Sequence, residues 1–265
     1  MFKPQAGLFL FGIPLVPRSR ANNWNNVLEN LGTTLRSILN QTNKEFHILI
    51  ASEDEFDLPE LSDKHVQLLK MPISGSKPVT FSINYQDAVV KRLAICQKAH
   101  ELCASQLMLA DADDLISKNL VEFVRRNPHP VGYAITRGFV LDCNTGKNLV
   151  CPSLMVNVKG FDTLCGTSLI YTLNQHKDLP ENWPASVVKN GHNQVRRAMR
   201  EAGTPMLEIH EPMVVYVRNS GENISMHESE DNPYLNFGSY LTSAIATHGA
   251  PFTKEQIHEF GLHLQ

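Results

Sequence analysis

Leu107-Met108-Leu109-Ala110-Asp111-Ala112-Asp113-Asp114 is a short apolar run that stops abruptly in three carboxylates within four positions. The apolar half reads as a hydrophobic strand, and the acids then fall at its C-terminal end, where a doubly wound sheet gathers its ligands. Carboxylates this close repel one another and hold on to protons unless they are fully solvated or a cation sits among them. Oxygen-only donors favour Mg²⁺ or Mn²⁺ over zinc, so Asp111 and Asp113 are candidate ligands for one of these ions. In the competing reading, Asp114 and Ser117 do no more than cap a helix through Leu120, Phe123 and Val124.

The residues upstream of this run alternate between strand and helix, which implies a mostly parallel sheet covered on both faces. Leu8 to Ile13 reads as a first strand. Val27, Leu28, Leu31, Leu35, Ile38 and Leu39 recur at helical spacing after Trp24, with Asn22 or Asn23 available as the cap. Phe46 to Ala51 is a second strand that releases Ser52, Glu53, Asp54 and Glu55 at its end. A helix from about Ile83 to Ala104 leads directly into the acid-tipped strand.

Beyond residue 130 the pattern changes. Val131 to Asp142 and Asn148 to Val158 are strand-like runs joined by the turn residues Asn144, Thr145 and Gly146, so an antiparallel part is expected there. A helix over His192 to Ala202 is expected to point Val195, Ala198, Met199 and Ala202 inward and Arg196, Arg197 and Arg200 outward. Val214 to Arg218 reads as a strand, and Thr253 to Gln256 carries a capping-box pattern for a terminal helix. The expected fold class is α/β, a doubly wound, mostly parallel Rossmann-like sheet with a smaller antiparallel part. Residues 1–130 and 131–265 would form two halves of one continuous domain.

The chain has 265 residues, 24 basic against 27 acidic, for a net charge of -3. That balance offers no overall field for a polyanion, so nucleic acid is not an expected partner. The longest apolar run, Gly7 to Val16, is shorter than the roughly 20 residues a membrane helix needs and is interrupted by Pro14. Cys96, Cys103, Cys143, Cys151 and Cys165 are odd in number and contain no C-x-x-C pair, which argues against a disulfide framework or a zinc ribbon and for a reduced, cytoplasmic setting.

The opening strand with Gly12, Ile13 and Pro14, the helix residues Asn30, Leu31, Thr34, Leu35, Ser37, Ile38, Asn40 and Gln41, the acids after Phe46 to Ala51, and the D-A-D-D run occur in the order found in the GT-A glycosyltransferases. Over about residues 7 to 126 the chain resembles in particular the inverting family 2 group. The resemblance implies a metal-dependent hexosyltransferase-like enzyme of polysaccharide biosynthesis. Its donor would be a nucleotide diphosphate sugar, most often UDP-linked, and its acceptor a glycan or a lipid-linked sugar, which leaves room for peripheral membrane contact. It also implies a nucleotide pocket lined by Pro14 and Arg18, with Glu53 or Asp54 on the base and Asp111 and Asp113 toward ribose and metal, Asp113 serving catalysis. Lys91 and Arg92 would add positive charge near the diphosphate or base, or else lie on exposed helix surface.

An inverting transferase needs a base for the acceptor hydroxyl, and where the family carries a Glu-Asp pair this chain has Gly191, His192, Asn193 and Gln194. An amide cannot accept a proton, whereas a neutral imidazole does so near pH 7, so His192 is the candidate base and retaining chemistry stays open. By the same resemblance Gly166, Thr167 and Ser168 would border the acceptor pocket, and His227 stands near a position that often ligates the metal. Two other readings compete. A nucleotidyltransferase would normally carry a Gly-rich phosphate loop where this chain has Pro14 and Pro17. A non-catalytic sugar-nucleotide or glycan-binding module would be compatible with Asn193.

Overall fold

The computed structural model describes residues 7–73, 80–173, 179, 183–189, 191–223 and 235–262. Two sheets organise it. The larger has seven strands: β1 (Phe9–Pro14), β2 (Phe46–Ser52), β3 (Val66–Lys70), β4 (Gln106–Leu109), β6 (Gly132–Ile135), β9 (Leu169–Thr172) and β10 (Leu207–Ile209), in the order β10-β6-β9-β4-β1-β2-β3. Every pairing is parallel except those of β9, which runs antiparallel to both β4 and β6. The smaller sheet joins β5 (Leu115–Ile116), β7 (Gly138–Asp142), β8 (Lys147–Cys151) and β11 (Val214–Arg218) in the order β5-β11-β7-β8. Its antiparallel outer pairings flank a parallel pairing of β11 with β7.

Strand alternation explains the double covering. Phe9, Phe11 and Ile13 of β1 enter one core together with Val27, Leu31, Leu35 and Ile38 of α1 (Trp24–Leu39). Leu8 and Leu10 point the other way, into a core with Ile95, Cys96 and Ala99 of α2 (Phe81–Glu101). The contact of α2 with β1 is close enough to require Gly12, where an added Cβ would lie 2.3 Å from Ile95 Cγ2. α1 starts where Asn23 Oδ1 accepts from the backbone N–H of Asn25 at 3.0 Å.

The remaining helices are α3 (Leu120–Arg126), α4 (Ala185–Val188), α5 (Val195–Glu201), α6 (Leu235–His248) and α7 (Lys254–Glu259). The capping box expected at the last of these is present, with Thr253 and Gln256 each bonding the other's backbone N–H. None of the described helices is long and apolar enough to cross a membrane.

Several expectations are corrected. Val131 to Asp142 is not one strand but two, β6 and β7, which separate at Thr136 and Arg137 into different sheets. The run from Asn148 ends as a strand at Cys151. The expected helix from His192 begins as a short 3-10 turn, and only Val195 and Met199 of its apolar set are buried, while Ala198 and Ala202 are exposed. β3 and α6 had no counterpart in the sequence reading.

Candidate active site

The acid run turns away from β4 immediately after Ala110, whose N–H donates to Gly12 O on β1 at 2.9 Å. Its three carboxylates then separate into three environments. Asp114 is fully buried: Oδ1 accepts from the Val217 N–H at 3.0 Å, and Oδ2 accepts from Thr167 Oγ1 and from Cys165 Sγ. Burial, with the charges of Asp113 and Asp111 nearby, holds its carboxyl well above the ordinary carboxylate range. The capping reading therefore fails for Asp114, which instead pins β11 and the residue 165–168 turn to the end of β4. Asn119, not Ser117, precedes the first turn of α3.

Asp113 faces the loop that follows β11. Its Oδ2 accepts from Ser220 Oγ at 2.9 Å and from Asn223 Nδ2 at 2.7 Å. Burial and the adjacent Asp111 push its carboxyl up to about 7, so near neutrality a cation competes with a proton for this group. Asp111 is ion-paired with Arg92 of α2, Nη2 to Oδ1 at 2.8 Å, and its N–H donates to Thr167 Oγ1.

Asp111, Asp113 and Arg92 line a cleft of about 480 Å³. Pro14 at the end of β1 and the next residues Leu15 and Val16 line it, as do Asn84, Tyr85 and Asp87 of α2. Gly166, Gly191 and His192 line it as well, together with Arg218 at the end of β11 and Glu222 and Asn223 of the loop that follows. Gly166 separates two chemically active groups: a Cβ added there would lie 3.0 Å from Asp111 Oδ2 and 3.6 Å from His192 Nδ1. Burial holds the His192 imidazole below its ordinary value, with Arg92 pushing the same way and Asp111 and Asp162 opposing. It is therefore neutral at pH 7 and able to accept a proton.

Other expected site residues lie elsewhere. Lys91 is not among the residues lining this cleft, nor is it on exposed surface. It is buried, with Nζ 2.7 Å from Asp87 Oδ2, 3.3 Å from Glu53 Oε1 and 2.8 Å from Leu15 O. Arg20 completes this cluster, 2.7 Å from Asp87 Oδ1 and 3.6 Å from Glu53 Oε1, so the two cations and two carboxylates neutralise each other. Glu53 is thereby consumed, and neither it nor Asp54 lines the cleft. Asp54 Oδ2 instead accepts from the Arg18 N–H at 2.7 Å, while the Arg18 guanidinium lies 5.2 Å over the Trp24 ring, outside the cleft lining. Thr167 and Ser168 are fully buried, Ser168 bonding Cys165 O, so of that trio only Gly166 reaches the cleft. His227 lies outside the described residues.

The sequence reading missed Asp87, Asn223 and Arg218. Asp87 was recognisable from its i, i+4 spacing to Lys91. Asn223 and Arg218 reach the cleft only because β11 pairs with β5, which carries the chain directly on from Asp114. Glu222 is tied down by the N–H groups of Asn22 at 3.0 Å and Asn23 at 2.7 Å, which locks the loop after β11 to the start of α1.

Among the described residues no group of three or more His, Cys, Asp or Glu surrounds a common metal position. Mg²⁺-class ions are commonly held by one or two carboxylates, with water and substrate phosphates completing the shell. Asp113, a carboxylate beside Asp111 in the cleft lining, suits that arrangement.

Fold and site together define a doubly wound α/β protein with a carboxylate-bearing cleft at the C-terminal ends of its parallel strands. No protein-family model matches the chain. No curated protein matches it either. Solved structures similar to it include a glycosyltransferase, a galactosyltransferase and a putative nucleotide-diphospho-sugar transferase. S. aureus TarS (residues 1–349) is 13% identical over 79% of this chain and 60% of that one, with a TM-score of 0.46. GlyE of Streptococcus pneumoniae is 10% identical over 91% and 60%, with a TM-score of 0.41. LgtC, solved with donor and acceptor sugar analogues, is 8% identical over 94% and 98%, with a TM-score of 0.40. The chain spans about 60% of the length of the TarS and GlyE chains.

Proposed function

We propose that the protein is a glycosyltransferase that takes a sugar from a nucleotide diphosphate donor, UDP-linked in the first instance, and passes it to a glycan or lipid-linked acceptor. The observation carrying this reading is that Asp111, Asp113, Arg92 and His192 line one cleft at the strand ends. Asp113, assisted by Asp111, would hold Mn²⁺ or Mg²⁺ against the donor diphosphate, where the ion would stabilise charge developing on the leaving group. Arg92, already at Asp111, adds a fixed cation beside the same phosphates. Pro14 and the α2 residues Asn84 and Asp87, rather than Glu53 or Asp54, border the space left for the nucleoside.

His192 would deprotonate the acceptor hydroxyl, with Gly166 leaving room for that hydroxyl between the imidazole and Asp111. A base separate from the donor carboxylates suits inversion at the transferred carbon. The free state of all five cysteines suits a reducing, cytoplasmic compartment.

The test is donor turnover. The protein is titrated with UDP and GDP, with and without Mn²⁺, and sugar release or transfer is then followed from the corresponding nucleotide sugars. Metal-assisted diphosphate binding with turnover supports the reading. Binding without turnover supports the non-catalytic module, for which Asn193 is the favouring observation. No binding of any nucleoside diphosphate removes the reading.

A further inference from the structure

We propose that the acceptor carries an anionic group, phosphate in class, and that a second cleft beside His192 receives it. This inference rests on the glycosyltransferase reading and deepens it. The second cleft, of about 400 Å³, shares Thr163 and Asn193 with the first, so the two adjoin on the side where His192 stands. Its other lining residues include Lys159, Arg196, Arg197 and Arg200, against Asp162 as the one carboxylate. In a chain whose net charge is -3, that is a local reversal of sign.

The distribution of partners sharpens the point. Arg196 is spent on structure, 2.7 Å from Asp162 Oδ2 and 2.9 Å from Glu208 Oε1. Arg200 shares that same Glu208 oxygen at 2.6 Å, so one carboxylate serves two guanidinium groups. Arg197 has only a 3.7 Å contact with Glu201, both side chains being about two-thirds exposed, a pair that solvent screens almost completely. Lys159 is exposed and has no carboxylate partner among the described residues. The cleft therefore keeps positive charge on exposed, solvated side chains beside the Arg196–Asp162 ion pair, and such cationic donors suit a phosphate oxygen. An acceptor holding its anion here would extend past Asn193 and bring its hydroxyl to His192.

The experiment uses the full chain and glycerol phosphate as the probe, with glycerol as the neutral control and phosphatidylglycerol vesicles as the lipid-borne form of the same group. Binding is read by calorimetry at two salt concentrations, beside UDP as the donor-cleft probe. The variant is K159E/R197E, two exposed positions outside the donor cleft, with folding checked by circular dichroism.

The wild type should bind glycerol phosphate but not glycerol, more weakly in high salt. The variant should lose about tenfold or more in that affinity while its UDP affinity stays the same. Vesicle binding that exceeds the free probe and is lost in the variant assigns the anion to a lipid headgroup, and preference for the free probe assigns it to a soluble acceptor. Equal affinity of variant and wild type for glycerol phosphate, or no binding by the wild type, overturns the proposal even if UDP binds. Loss of UDP binding in the wild type would instead strike the donor reading and leave the anion result readable.

Discussion

Arg92 Nη2 stands 2.8 Å from Asp111 Oδ1, so the protein supplies its own counter-ion to one acid of the D-A-D pair and, among the described residues, none to the other. Among the described residues, the donors on Asp113 Oδ2 are the neutral Ser220 and Asn223. On the proposed reading the external cation would be demanded by Asp113, and Arg92, fixed at Asp111, would add positive charge beside the donor diphosphate. Arg92→Gln should lower nucleoside diphosphate affinity by about tenfold, the size of one charge-assisted contact, while the enhancement by Mn²⁺ persists. Titration calorimetry with and without the ion checks both parts.

The raised carboxyl of Asp113 has a direct consequence for stability. Because the folded value is about 7 against an ordinary 3.8, the folded protein binds more protons than the unfolded chain in that interval. The associated stabilisation is complete below the ordinary value and is lost as pH rises through 7. The metal-free melting temperature should fall through this group as pH rises from about 4 to about 7, and the gain on adding Mn²⁺ should grow over the same range. Both trends should vanish in Asp113→Asn; a Mn²⁺ gain that survives unchanged there would detach the ion from Asp113.

Much of this site was legible in the sequence because strand-end chemistry is local. An apolar run that stops in acids declares its own polarity, and the 3.6-residue spacing of Val27 to Ile38 declares the helix covering β1. Less legible was anything decided by distant neighbours. β3 carries Gln67 and Lys70 and is only half-buried, as suits the edge of the sheet, so it lacks the apolar signature of β1 and β2. The break between β6 and β7 was hidden because both flanks share the same alternation, and the separation is imposed by β10, whose Ile209 O takes the N–H of Thr136. Lys91 and Glu53 looked like ligands because a sequence shows charges without showing that Arg20 and Asp87 already satisfy them.

His192→Ala should depress transfer by about 10² to 10⁴ with donor affinity nearly unchanged. Since burial keeps the imidazole below its ordinary value, the wild-type rate should hold across neutral pH and fall only under more acid conditions, as the base takes up a proton. A pH–rate profile of both forms separates loss of a base from loss of structure, because only the wild type should show the acid limb.

Asp114 calls for a paired substitution. Burial raises its carboxyl well above the ordinary carboxylate range, so Asp114→Asn, which keeps an acceptor for Val217 and removes a charge that burial disfavours, should be nearly as stable as the wild type. Asp114→Ala leaves the Val217 N–H and the Thr167 hydroxyl without that partner and should cost about 1–3 kcal/mol for the stranded groups, read by urea unfolding.

Gly166→Ala places a methyl group 3.0 Å from Asp111 Oδ2 and 3.6 Å from His192 Nδ1. The expected result is a drop in transfer of about 10² with the fold intact, since misplacing reacting groups by about 1 Å costs that much. Turnover at the wild-type rate would show that no reacting atom passes between the two residues.

The position of β9 also bears on how the molecule is born. A chain made from its N-terminus completes β1 to β4 first, and β4 then waits as an outer strand until Leu169–Thr172 leaves the ribosome and pairs with it. Through that interval a row of backbone groups on an apolar strand lies bare, the arrangement most prone to recruit a foreign strand. Asp111 and Asp114 meanwhile lack Thr167, which arrives on the same late segment.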